Sequence, residues 1–124
     1  MPAAMQSSRV FHFNTLPARK NPNGSESRDV LHGQLPTGEQ VALHESIQAA
    51  GTPPNPAHRI DHTELICVRS GTLEFHHDGL TERASTGDVL LVAKGTLHSV
   101  RNIGDGPAAY FVLAIGGDTN QPHP

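Results

Sequence analysis

The stretch "PAHRIDHTELICVRSGTLEF", residues 56–75, decides how this chain is read. Its first half places His58, His62 and Glu64 close together, and its second half is apolar and β-branched up to a turn at Ser70-Gly71. An extended chain sends alternate side chains to opposite faces. Residues 58, 60, 62 and 64 then share one face, and Thr63, Leu65 and Cys67 take the other. Same-face neighbours lie about 6.6 Å apart, so an imidazole at 62 and a carboxylate at 64 can converge on one ion or ligand. The segments "HTELICVR" (62–69) and "TLEFHH" (72–77) read as a hairpin around that turn.

Outward from the hairpin, no stretch holds apolar residues at i, i+3, i+4 and i+7 over three turns, so no long helix is predicted. Short strand-like runs follow one another instead: "RVFHF" (9–13), "RDVLHGQL" (28–35), "QVALHESIQ" (40–48), "LTERAS" (80–85), "VLLVA" (89–93), "TLHSVRN" (96–102) and "AAYFVLAI" (108–115). Gly, Asn and Asp punctuate them, and Gly71, Gly79, Gly87 and Gly95 fall at turns. The segment "LPARKNPNGSES" (16–27) reads as an irregular surface loop. The three prolines of "AAGTPPNPA" (49–57) rule out a central strand there, since proline donates no ladder bond. This spacing predicts an all-β, antiparallel sandwich or barrel with little or no helix. At 124 residues a single domain is expected, its core at about 28–116, with 1–8 and 117–124 as flexible tails.

Composition narrows the class. The lone Cys67 forms no internal bridge and reads as a buried, inert thiol in "LICV". A net charge of −3 with scattered Lys and Arg excludes the basic stripe that nucleic acid requires. The longest apolar runs are too short to span a bilayer, and "MPAAMQSSR" carries no signal-peptide stretch. A soluble, cytoplasmic protein with no membrane partner is expected. Nine histidines are many for this length and point to a polar interior.

Two motifs carry a resemblance. In the second, Gly87, "DVLLV", Ala93, Lys94, Gly95, "TL", His98, "SVR" and Asn102 follow the pattern Gly, five residues, Pro-x-Gly, two residues, His, three residues, Asn, with only the Pro changed to Ala. In the first, His58, Glu64, "LICVRS" and Gly71 follow the pattern His-x-His, then Glu, six residues and Gly. Over residues 51–102 the chain resembles the cupins, small barrels of the double-stranded β-helix type. The first motif departs twice: six residues rather than five separate Gly51 from His58, and Ile60 stands at the second His position. Small cupins often carry a further His two residues before the Glu, and His62 occupies that place.

The resemblance implies a barrel, often a homodimer, with a metal ion or small ligand in its mouth. Under the first reading His62, Glu64 and His98 hold a divalent transition metal (Mn, Fe, Ni or Zn) with His58 in support. Imidazole and carboxylate select weakly among these ions. Glu64 is also the candidate catalytic base. Leu73, Phe75, Val100 and Phe111 shape the pocket, with His44 and Ile60 as further lining. The protein is then a metal-dependent enzyme of oxygenase, isomerase or lyase type acting on a small organic substrate. Under the second reading Ile60 fills the mouth of a metal-free module that binds or senses a sugar or another small molecule.

The remaining histidines carry less. His76 and His77 adjoin the "DG" turn and straddle both faces, so at least one is expected at the surface. His12, between Phe11 and Phe13, fits an edge strand packed on a partner subunit, and His123 lies in the tail. "GGD" at 116–118 reads as a terminus, and Ser99 faces away from His98.

Overall fold

The computed structural model describes residues 4–54 and 56–119; His123 lies outside them. Nine strands form among these residues: β1 (Arg19–Lys20), β2 (Glu26–Gln34), β3 (Gln40–Gln48), β4 (Thr63–Ser70), β5 (Thr72–His77), β6 (Leu80–Ser85), β7 (Val89–Val92), β8 (His98–Asn102) and β9 (Ala108–Ile115). They make a six-stranded sheet in the order β1-β2-β3-β9-β4-β7 and a three-stranded sheet in the order β6-β5-β8. Every pairing is antiparallel. The only helical turns among the described residues are two short 3-10 turns, Ala4–Gln6 and Phe13–Thr15. No helix there is long and apolar enough to cross a membrane.

Alternation builds the core. In β4 the side chains of Glu64, Ile66 and Val68 turn inward, and register places them beside Ala114, Val112 and Tyr110 of β9. On the other side Val92 and Leu90 of β7 face Glu64 and Ile66. Leu73 and Phe75 of β5 and Val100 of β8 close the same cluster from the second sheet. Burying a side chain such as Leu73 or Val100 contributes about 1.5–3 kcal/mol. Glu64 and His98 form a buried polar end to this cluster.

Turn chemistry sets the register. Asp78 and Gly79, at φ 50° and 75°, make the two-residue hairpin turn that joins His77 to its partner Leu80. At Gly71 the β4–β5 turn runs at φ +85°, and a Cβ there would stand 2.8 Å from the Ala108 Cα.

Four expectations need correction. "RVFHF" is not a strand: Val10 is exposed and Phe13 opens a 3-10 turn. Its aromatic instead packs on the outer sheet face, with the Phe13 ring edge-on to Phe111 at 6.2 Å and the Arg28 and Arg69 guanidinium groups over it. His12 is therefore not on an edge strand. Within 16–27, Arg19–Lys20 pairs with Glu26 and Ser27, because the Asn21 side chain donates to both Ser25 and Ser27 and ties the connecting turn. Cys67 is half-buried on the outer face rather than in the core. Finally, within the segment expected as a tail, Asp118 bonds back to Asp61 and His62.

Candidate functional site

One end of the barrel collects polar side chains from both sheets. The segment before β4 brings His58 and His62, the second residue of β4 is Glu64, and β8 opens with His98. A two-residue bridge fixes the first and last of these: each of His58 and His98 donates its backbone N–H to the other's carbonyl at 3.1 Å. Their rings lie 4.8 Å apart, tilted by 40°.

Glu64 stands between two imidazoles in a dry setting. Its Oε2 is 2.8 Å from His62 Nε2, and its Oε1 is 3.8 Å from His98 Nε2. All three side chains are essentially buried, at 0–1% exposure. The outer nitrogens settle the tautomers. His62 Nδ1 lies 2.7 Å from the Asp118 carbonyl oxygen, and His98 Nδ1 lies 3.1 Å from that of Thr96. A carbonyl only accepts, so each Nδ1 carries hydrogen and each Nε2 is the nitrogen turned to Glu64. The 2.8 Å contact therefore holds a second proton, shared by His62 Nε2 and Glu64 Oε2. His98 Nε2 is buried without a hydrogen-bond partner among the described residues.

His98 also adjoins open space, although its side chain is itself unexposed. It lines a cleft of about 460 Å³ together with Leu97, Arg59, His76, His77 and Leu80. His77 is the residue that the sequence reading passed over. It is the Cα partner of His98 across β5 and β8, and its ring stacks on Phe75 at 4.4 Å. Asp78 and Glu82 engage its two ring nitrogens at 3.0 and 2.6 Å and raise its pKa above the usual 6.5. The alternation Leu73, Phe75, His77 along "TLEFHH" was the available signal.

The other expected site residues divide. Ile60 is 1% exposed and belongs to the apolar cluster beside the site. Leu73 and Val100 point inward and pack as core, while Phe75 belongs to the same cluster and also lines a cleft of about 410 Å³ with His77 and Leu90. His44 is buried on the inner face, in register with Val112 and Ile66 rather than with Glu64. Phe111 turns to the outer face against Phe13, because Tyr110 and Val112 take the inward positions of β9.

A transition metal is tested against this donor set. Two imidazoles with Nδ1 held by carbonyls, plus one carboxylate, are the right chemistry. The arrangement is not: among the described residues no group of three or more His, Cys, Asp or Glu side chains is placed to hold an ion. His62 Nε2 is committed to the carboxylate, and Ile60 puts a hydrocarbon where a further imidazole would stand. As arranged, the residues do not fit a resident metal.

Comparison with known proteins agrees with the fold. A family model for the cupin domain matches residues 43–115, more than half of the chain. An RmlC-like cupin from Shewanella frigidimarina NCIMB 400 superposes with a TM-score of 0.76 at 12% identity, over 94% of this chain and 97% of that one. KdgF from a Halomonas species gives 0.75 at 17% identity, over 86% and 94%. The polyketide cyclase RemF from Streptomyces resistomycificus gives 0.70 at 18% identity, over 88% and 79%. No protein of curated function matches the chain in sequence. With the second motif in register on a two-sheet antiparallel barrel, the chain belongs to the cupin family.

Proposed function

We propose that the protein binds a small organic molecule in the cleft at the barrel mouth and carries out acid–base chemistry on it through Glu64 and His98. One observation carries this reading: His98 belongs both to the cleft wall and to the buried His62–Glu64–His98 row. His98 Nε2 is itself buried and turned to Glu64, so a ligand in the cleft engages the row only when the His98 ring swings towards it, and that ring then links the ligand to the carboxylate that bonds His62. Proton transfer by positioned side chains contributes about 10²–10⁴-fold to a rate. The apolar Leu97 and Leu80 beside His76 and Arg59 suit a ligand with one hydrocarbon and one oxygen-bearing end. The fold shared with a polyketide cyclase is in keeping with chemistry on small organic molecules.

The test is a panel of hydroxy acids, sugars and phenols, read by saturation-transfer NMR in D₂O. Ligands should bind the native protein, lose binding in His98→Ala, and lose carbon-bound deuterium uptake in Glu64→Gln while still binding. Binding untouched by His98→Ala would remove the cleft from the reading. Deuterium uptake untouched by Glu64→Gln would leave a binding module without catalysis.

A metal centre is the second reading, favoured by one observation: the unbonded His98 Nε2 facing Glu64 Oε1. His62, Glu64 and His98, with His58 beside them, would hold Mn, Fe, Ni or Zn once His62 released the carboxylate. Elemental analysis of the purified chain tests it, with about one equivalent as the supporting result.

A further inference from the structure

The structure assigns a positioning role to the Gly116–Asp118 main chain: it clamps the His62 ring in the tautomer that faces Glu64. This rests on the reading of His62, Glu64 and His98 as the working row. As β9 ends, Gly116 and Gly117 both take left-handed φ, +69° and +54°, and turn the chain back over the loop before β4. The Gly116 N–H is tied to the Gln40 carbonyl at 2.7 Å, and the Asp118 N–H to the Asp61 carbonyl at 3.0 Å. Those two bonds hold the Asp118 carbonyl 2.7 Å from His62 Nδ1.

The fit at Gly117 is the second observation. A Cβ there would lie 1.7 Å from the Asp61 carbonyl oxygen and 3.2 Å from the His62 Cα. Backbone meets backbone at that point, so no side-chain adjustment relieves the overlap. Gly116 has the same handedness, yet a Cβ on it would meet nothing within 4 Å. The clamp is thus a main-chain device pressed onto the residue adjoining His62, and it needs glycine at 117 for room as well as for φ.

Its consequence is chemical. With Nδ1–H spent on Asp118, His62 can offer only Nε2 to Glu64. Without the clamp the ring is free to carry its single hydrogen on Nε2 or to rotate, and the shared proton loses its fixed place. Gly117 and Asp118 act through His62 and touch no ligand themselves.

The experiment is long-range ¹H–¹⁵N NMR of the full chain with labelled histidine. The native protein should show His62 with hydrogen on Nδ1 in a slowly exchanging state. Gly117→Ala should lose that signature, while His98 keeps its own Nδ1 hydrogen on Thr96. A folded Gly117→Ala with an unchanged His62 pattern overturns the proposal. If Gly117→Ala does not fold, amide exchange in the native chain decides. An Asp118 N–H protected like those of β9 supports the clamp, and a rapidly exchanging one overturns it. The outcome is separable from the proposed function, because a lost His62 signature with unaltered ligand deuteration would keep the clamp and sink the acid–base role.

Discussion

His62 and Glu64 share a 2.8 Å hydrogen bond in a place that solvent does not reach. Two residues apart on one face of the chain, they are joined by the same alternation that forms β4. Removing one partner leaves the other buried without its counterpart. Glu64→Ala should therefore destabilise the fold by about 3–5 kcal/mol, the scale of a broken buried pair. Glu64→Gln, which keeps a hydrogen-bonding oxygen and nitrogen, should cost about 1–3 kcal/mol. Urea unfolding of the two variants beside the native chain checks the order; equal midpoints for Ala and Gln would mean that the contact is not energetically coupled.

Tyr110 permits a pH prediction with a single-residue signal, since the chain has one tyrosine and no tryptophan. Its hydroxyl receives the Gln48 amide N–H at 2.8 Å within the core. Burial pushes the phenol from 10.0 up to about 12. The raised value means that stability linked to the neutral phenol is complete below about pH 10 and is lost as pH rises towards 12. An absorbance titration should show no phenolate until near pH 12, or until the barrel opens and releases it in one step. A smooth titration near 10 in the folded protein would contradict the burial.

The β4–β5 turn offers a test of packing that does not touch the site. Gly71→Ala must accept φ +85° and also push its Cβ against Ala108 and the Pro107 carbonyl, both within 2.9 Å. Left-handed strain of about 1–2 kcal/mol and overpacking of about 1–3 kcal/mol should act together. The urea midpoint should fall with no change in the slope. Because Ala108 begins β9, Gly71 sets how closely the two strands approach.

The readable parts of the fold were those written in side chains. Alternation in "HTELICVR", "TLEFHH" and "AAYFVLAI" marked β4, β5 and β9, and the second motif marked His98 and Asn102. "RVFHF" misled because alternating aromatics look the same whether a segment pairs as a strand or lays one ring on a sheet, as Phe13 does on Phe111. His77 was passed over because its neighbouring "DG" turn suggests surface, although its face is that of Phe75. The clamp at Gly116–Asp118 had no side-chain signature, since its contacts are main-chain oxygens and hydrogens. The Asp118 and Thr96 carbonyls that fix both tautomers were hidden for the same reason.

Ile60 holds the remaining question of the site, and its replacement makes the last prediction. Its side chain is 1% exposed and packs in the cluster that includes Val92, the cross-strand partner of Glu64. Ile60→His puts an imidazole among apolar neighbours, and without metal this should cost about 1–3 kcal/mol. The new ring would also stand one alternation from both His58 and His62, facing the end of the barrel that holds Glu64 and His98. Added Zn or Mn should then bind at about one equivalent and recover the loss, because a ligand at a hundred times its Kd stabilises by about 2.7 kcal/mol. The native chain under the same dialysis should retain far less. Metal retention together with a recovered urea midpoint would identify Ile60 as the residue that keeps the centre closed to metal. Destabilisation without metal uptake would mean that the backbone between His58 and His62 no longer aims this position at Glu64.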